Sequence, residues 1–239
     1  MLPDFNLKFN NYKFFINMKA IKLYLSAFFM LCTVVVAKAV SVAPVYDEVY
    51  KNAMEKQLAA VDSAKIPAQL VAASSAFERI ALKYTAQWQP VYYVAYASVE
   101  AVLRNPQDIS NVYKLAKAKE WLDKLEKFAD ADKSEVATLR GYYYMALITT
   151  NQEAYGQKYF SEVMTDYKTA IALNPENPRP VLMLAVFEQN LPEFLRSKND
   201  FCETMKTVGT LFDKEQKSID KPYWEKIFYQ MASQKCKGE

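Results

Sequence analysis

Residues 168–184 read "KTAIALNPENPRPVLML". Pro175, Pro178 and Pro180 crowd into six residues, with small and apolar residues at helical spacing on both sides. Such a stretch is either a linker between two domains or a joint that recurs along one array of helices. Proline cannot donate an i→i−4 hydrogen bond, so it stops a helix, yet it suits the first turn of the next. Pro175 therefore ends one helix, and Pro178 and Pro180 open another. This predicts a tight joint in a continuous array, with Arg179 and the helix after it in a binding wall.

Outward from the joint, apolar residues recur at three and four from Tyr46 onward, in blocks separated by short polar or proline-containing breaks. The spacing predicts helices over 46–62, 67–84, 89–104, 108–129, 134–152, 156–173, 178–190, 198–214 and 222–236. No segment sustains the alternation of a half-buried strand. Four glycines among 239 residues also speak against a turn-rich β fold. The chain is predicted to be all-α, its helices pairing as hairpins.

The pairs repeat. "QPVYYVAYASVEA" (89–101), "EVATLRGYYYMAL" (135–147) and "RPVLMLAVFEQNL" (179–191) carry a small residue at one offset: Ala95, Gly141 and Ala185. The second helices match as small or apolar, large, then small or apolar: Ala73, Phe77, Ile80; Ala118, Leu122, Leu125; Val163, Tyr167, Ala170; Phe201, Met205, Val208. Small residues let two helices approach closely, and a large side chain fills the gap between hairpins.

On these residues, "YKTAIALNPENPRPVLMLA" resembles the joint of a tetratricopeptide repeat, with Tyr167 and Ala170 as the large and small packing positions and Pro175 as the stop. Trp88, Ser134 and Pro178 are 46 and 44 residues apart, against the usual 34 of that repeat. The excess lies between first and second helices, in "RNPQDISNVYKLAK" (104–117) and "NQEAYGQKYFSEV" (151–163), as longer arms or loops. The resemblance implies an α-α superhelix of about four hairpins with long connections between first and second helices. The order "FERIA…W-PVYYVAYA…SEV-TLRGYYYMALI…GQKY…ALNPENPR…PEF" is also similar to small exported tetratricopeptide-repeat proteins of bacteria, mostly Bacteroidetes, across about residues 46–236. That group implies a fold and a compartment, and no activity.

Residues 1–39 are expected to be a leader, with a signal peptide at 18–39. Lys19 and Lys22 precede an apolar run, Leu23 to Val36, and Ala37-Lys38-Ala39 offers a cleavage site. The run falls short of the roughly 20 apolar residues of a membrane span. Met18 is an alternative start to Met1, and Cys32 offers a secondary reading as a lipid anchor. Residues 40–239 are then a single domain, exported to the periplasm or beyond a Gram-negative cell, with no stable membrane span. The whole chain holds 30 basic and 27 acidic residues; removal of five lysines and one aspartate leaves 25 and 26. No polybasic cluster remains, which argues against nucleic acid or an anionic membrane as partner. Loss of Cys32 leaves Cys202 and Cys236, a pair expected to form a disulfide in that compartment.

The chain has no histidine, which removes the usual base near neutral pH and the commonest metal ligand. No Gly-rich phosphate loop, CxxC or EF-hand pattern occurs, and no two carboxylates are placed across a cleft. No catalytic residue, metal or cofactor is expected. The candidate surface is the concave face lined by first helices, where Tyr92, Tyr93 and Tyr96 sit on one helix and Tyr142, Tyr143 and Tyr144 on the next. Three consecutive tyrosines span about 200° of a helix, so they cannot all be core. Arg140, beside Gly141, offers a guanidinium for a carboxylate such as a peptide C-terminus, or for a neighbouring Glu. The expected groove set is Tyr92, Tyr93, Tyr96, Arg140, Tyr143, Tyr144 and Arg179, binding a peptide or protein as a non-catalytic adaptor. The alternative is a small molecule or glycan in a tyrosine-lined groove.

Overall fold

The computed structural model describes residues 47–224 and 226–236. The expected leader, its cleavage site and Cys32 lie outside them. Among the described residues every element is helical: α1 Glu48–Ser63, α2 Pro67–Lys83, α3 Trp88–Leu103, α4 Asn111–Leu125, α5 Lys133–Thr150, α6 Gln152–Leu173, α7 Pro178–Gln189, α8 Phe201–Lys214 and α9 Lys226–Ala232, with 3-10 turns at Glu193–Leu195 and Ser233–Cys236. The all-α expectation and the paired arrangement hold.

Side-chain caps set the boundaries. Asp47, Asp132, Asn151, Asn177 and Asp200 each stand just before a helix and accept from a backbone N–H of its first turn. These satisfy donors that have no partner within the helix. At α2 the Gln69 side chain reaches back to the backbone N–H groups of Lys65 and Ile66, behind Pro67. At the joint, α6 stops at Leu173, Asn177 caps α7, and Pro178 and Pro180 occupy its first turn. It is a joint of one array.

Each helix from α1 to α8 packs on the next, and α3 also meets α5, as α5 meets α7. That pattern of neighbours along the chain, with the first helices of successive hairpins in one row, is how a helical solenoid builds a continuous core. The extra length per repeat is divided unevenly. Between α3 and α4 it is a loop, 104–110, in which Asp108 gathers the Ser110 backbone N–H, the Ser110 hydroxyl and the Lys114 ammonium. Between α5 and α6 a single residue, Asn151, makes the connection, so the excess there is helix arm. The last expected helix, 222–236, shrinks to α9 and its 3-10 turn. Pro222 lacks an N–H and disfavours helix at Lys221, so residues 215–224 run as an irregular strap.

The small-and-large rule of the repeat has a direct physical form. Gly141 faces Tyr167, and a Cβ on Gly141 would lie 2.8 Å and 2.9 Å from two carbons of that ring. Tyr167 is itself fully buried, so the ring has nowhere to go. Gly156, early in α6, meets only Gln152 at an ordinary 3.7 Å. Gly141→Ala is therefore expected to destabilise the fold by about 1–3 kcal/mol through overpacking, despite alanine's better helix propensity. Gly156→Ala should stabilise it by about 0.5–1 kcal/mol. Urea unfolding of the two variants beside the parent protein measures both.

Candidate functional site

The strap makes the site. It leaves α8 at Glu215 and passes beside the buried helix α3, "WQPVYYVAYASVEAVL". There the Gln89 side chain donates to the Asp220 carbonyl at 3.3 Å, and the Tyr223 backbone N–H donates to the Tyr93 hydroxyl at 2.9 Å. The Trp224 indole N–H donates to the Tyr92 hydroxyl at 2.7 Å. Burial pushes the Tyr92 and Tyr93 hydroxyls well above their ordinary range, so both stay protonated. Tyr92 passes its own proton on in a hydrogen bond to Glu135 Oε2 at 3.1 Å.

Glu135 sits in the first turn of α5 and is fully buried. Its Oε1 accepts from Asn177 at 2.8 Å and from Arg179 Nη2 at 2.6 Å, both residues of the proline joint. The second Arg179 partner is Glu215 Oε1, at the start of the strap, 2.7 Å away. Burial opposes charge on this guanidinium, but Glu135 and Glu215 outweigh it and hold Arg179 ionised. Burial pushes the Glu135 carboxyl up, and Arg179 pulls it back. One polar cluster thus joins α3, α5, the joint and the strap.

Above this cluster lies a cavity of about 800 Å³. Its aromatic lining includes Tyr96 on α3, Tyr142 on α5 and Trp224 on the strap, with Tyr223 of the strap and Phe228 of α9. Ring centroids are 4.8 Å apart for Tyr96 and Trp224, 5.1 Å for Tyr142 and Trp224, and 6.1 Å for Tyr96 and Tyr142. Met145 on α5, Met183 on α7 and Met231 on α9 add thioethers, and Ile227 and Phe228 add apolar area. Its charged lining is mixed: Lys65 after α1 and Lys226 on α9, the latter 3.5 Å from Asp213, share it with Arg104, Asp62 and Glu100. At the edge, Glu100 accepts from Tyr142 and from Arg104, whose other arm donates to the Ala64 carbonyl. That chain ties the end of α1 to α3 and α5. Cys202 and Cys236 are bonded, their Cα atoms 5.5 Å apart, so α9 is tethered to α8 beyond its groove-lining residues.

Of the residues expected in the groove, Tyr96 lines this cavity. Tyr92 and Tyr93 lie beneath it, engaged with the strap. Tyr143 is largely buried, and half-buried Tyr144 stacks on Tyr159 of α6 at 5.2 Å. Arg140 turns to α6 and α4, holding Asp166 at 2.6 Å and Glu126 at 3.0 Å. Arg179 is only 3% exposed and has both its carboxylates inside the protein. Among the other lining residues, Tyr142 belongs to the six tyrosines of the candidate face though not to the expected groove set, while Met145, Met183, Trp224 and the residues of α9 were not singled out. The repeat register held a signal for one of them, since Tyr96 and Tyr142 each directly follow the small residue, Ala95 or Gly141. The strap has no counterpart in the repeat, so nothing periodic marked it.

No family model matches the chain, and no curated protein matches it. Among solved structures the chain is similar to the HusA haemophore from Porphyromonas gingivalis, with a TM-score of 0.69 and 25% identity, covering 79% of this chain and 92% of that one.

Two outcomes follow from the cluster and the tether. Arg179→Met leaves Glu135 buried without its cation and is expected to cost about 3–5 kcal/mol; adding Glu135→Gln should return part of that loss. Urea unfolding of the single and double variants checks it. Replacing both Cys202 and Cys236 with Ser removes a crosslink across 34 residues, worth up to roughly 4 kcal/mol in the chain-entropy account. Hydrogen exchange should then rise in residues 226–236 more than in α3 or α5.

Proposed function

We propose that this chain is an exported, non-catalytic carrier whose groove takes a planar, mostly apolar molecule of the tetrapyrrole class, haem among them. The observation that carries the reading is the groove itself. Three clustered aromatic rings, three methionines and two lysines share a cavity of about 800 Å³, within the usual range for a small-molecule site. A flat apolar ring system gains most from aromatic side chains, and methionine adapts its shape to such a surface. Lys65 and Lys226 suit the two carboxylates that haem carries at one edge.

The likeness to a haemophore supports the same reading, because that protein is by its name a haem carrier. Haem here is cargo. With no histidine in the chain, Met145, Met183 and Met231 are the soft side chains offered to iron. The Tyr142 hydroxyl is already engaged with Glu100. The small-ligand reading is preferred to the peptide adaptor because the strap walls the groove, while α7 contributes only Met183 to it. We read the hairpins as tetratricopeptide-like, supported by the fit of Gly141 to Tyr167. Export is supported by the leader pattern in residues 18–39 and by the disulfide, which persists in oxidising compartments.

The test is a titration of residues 40–239, disulfide intact, with haemin and with metal-free protoporphyrin, followed by tryptophan emission and by the Soret band. One-to-one saturation with quenching is the expected outcome. Ile227→Glu and Met231→Glu alter exposed lining positions (66% and 60% accessible), and each should weaken binding about tenfold, or roughly 1.4 kcal/mol. Joint replacement of Lys65 and Lys226 with Glu should weaken it further and more so at low salt. Failure to saturate, or equal affinity across these variants, would remove the groove as the site.

A further inference from the structure

A second cavity, of about 460 Å³, lies between α6, α7 and α8 and shares no lining residue with the groove. Its apolar side is Ile171 of α6, Val181 and Leu184 of α7 and Phe201 of α8. Its charged lining residues are all acids: Glu188 in the last turn of α7, Asp200 at the cap of α8, and Glu203 in the first turn of α8. Asp200 accepts from the Glu203 backbone N–H, and Glu203 pairs with Lys206 in the open.

Glu188 is the unusual member. It is 8% exposed, its Oε2 accepts from the Ser197 hydroxyl, and its Oε1 is buried without a hydrogen-bond partner among the described residues. No described lysine or arginine pairs with it. The other buried carboxylates follow the opposite rule, Glu135 meeting Arg179 and Asp166 meeting Arg140. A buried carboxylate is costly to keep ionised without a cation. The end of α7 adds to the demand, since its last turn carries no basic residue and a helix C-terminus favours positive charge.

We propose that this cavity binds a primary alkylammonium group, with the nitrogen on Glu188 Oε1 and the methylene chain along Ile171, Val181, Leu184 and Phe201. A single free oxygen suits a compact ammonium better than a guanidinium, which seeks two parallel acceptors. Asp200 and Glu203 give the site a negative lining that draws the cation in. The amine belongs either to a free diamine or polyamine or to a lysine side chain of another protein. The chemistry at Glu188 is shared.

Isothermal titration of residues 40–239 with 1,5-diaminopentane, spermidine and a lysine-containing tripeptide blocked at both ends separates the two sources. Saturation by the free amines alone assigns a polyamine site, and saturation by the tripeptide assigns a lysine-docking site. In either case the ε-acetylated tripeptide and 1-pentanol should not bind, because the cation is gone. Glu188→Gln is expected to weaken binding about tenfold or more, the scale of one charge-assisted hydrogen bond. Thr207→Lys places a competing ammonium from an exposed lining position of α8, and should abolish binding with the fold intact. No saturable binding up to roughly 10 mM amine, the millimolar limit of weak recognition, overturns the proposal. Unchanged affinity in Glu188→Gln overturns it as well. Tetrapyrrole binding is read separately in the groove, so neither outcome depends on it.

Discussion

The ion pair between Arg179 and Glu135 is the contact on which the arrangement of this molecule depends. Both side chains are out of water, and each has further partners: Asn177 and Tyr92 for the carboxylate, Glu215 for the guanidinium. A buried pair is weak evidence of stability in itself, because desolvation offsets much of the attraction. Its effect is to fix geometry. Glu135 opens α5, Arg179 opens α7, Tyr92 belongs to α3, and Glu215 begins the strap. Any sliding of one hairpin past another would separate these groups and leave a charge unpaired in the core. The cluster therefore sets the register of three successive first helices.

The groove inherits that register. Trp224 reaches its place between Tyr96 and Tyr142 because its indole N–H is held by Tyr92, which is held in turn by Glu135. The guanidinium of Arg179 lies 5.9 Å from the indole ring, so the same cation that locks the hairpins also lies near the underside of the ring. The disulfide holds the other end of the segment. Between those anchors, α9 is short and packs mainly on α8, so its position relative to the cavity rests on the two ends.

How much of this was legible depends on whether the signal was local. The proline joint was readable to the residue, because proline's missing N–H and fixed φ act without reference to the rest of the chain. Gly141 and Tyr167 were readable as small and large from the repeat, and they meet across α5 and α6. Arg179 was not. From sequence it is a cation at a helix start in a suspected binding wall; only the fold brings Glu135 and Glu215, 44 and 36 residues away, to enclose it. The tyrosines show the same limit. Three in a row guarantee that faces differ, but which face meets the groove is decided by the strap, a non-repeating segment with no periodicity to read.

The absence of histidine bears on how the groove responds to pH. Histidine is the side chain whose ordinary titration falls between pH 5 and 8, and this chain has none. The described cysteines are joined to each other, so no described thiol is left to titrate or ligate. The tyrosine hydroxyls that hold the strap are pushed further from neutrality by burial. A titratable group that remains in the cluster beneath the groove is the Glu135 carboxyl, which burial pushes up and Arg179 pulls back. Of the cavity's walls, α9 is the one held at its ends, by Tyr92 and Tyr93 through the strap before it and by Cys202 through the disulfide after it. Besides those ties, Tyr229 of α9 packs on Phe212 of α8 and Trp224 stacks on Tyr96 and Tyr142, whereas α3, α5 and α7 are joined through the buried cluster of Tyr92, Glu135 and Arg179.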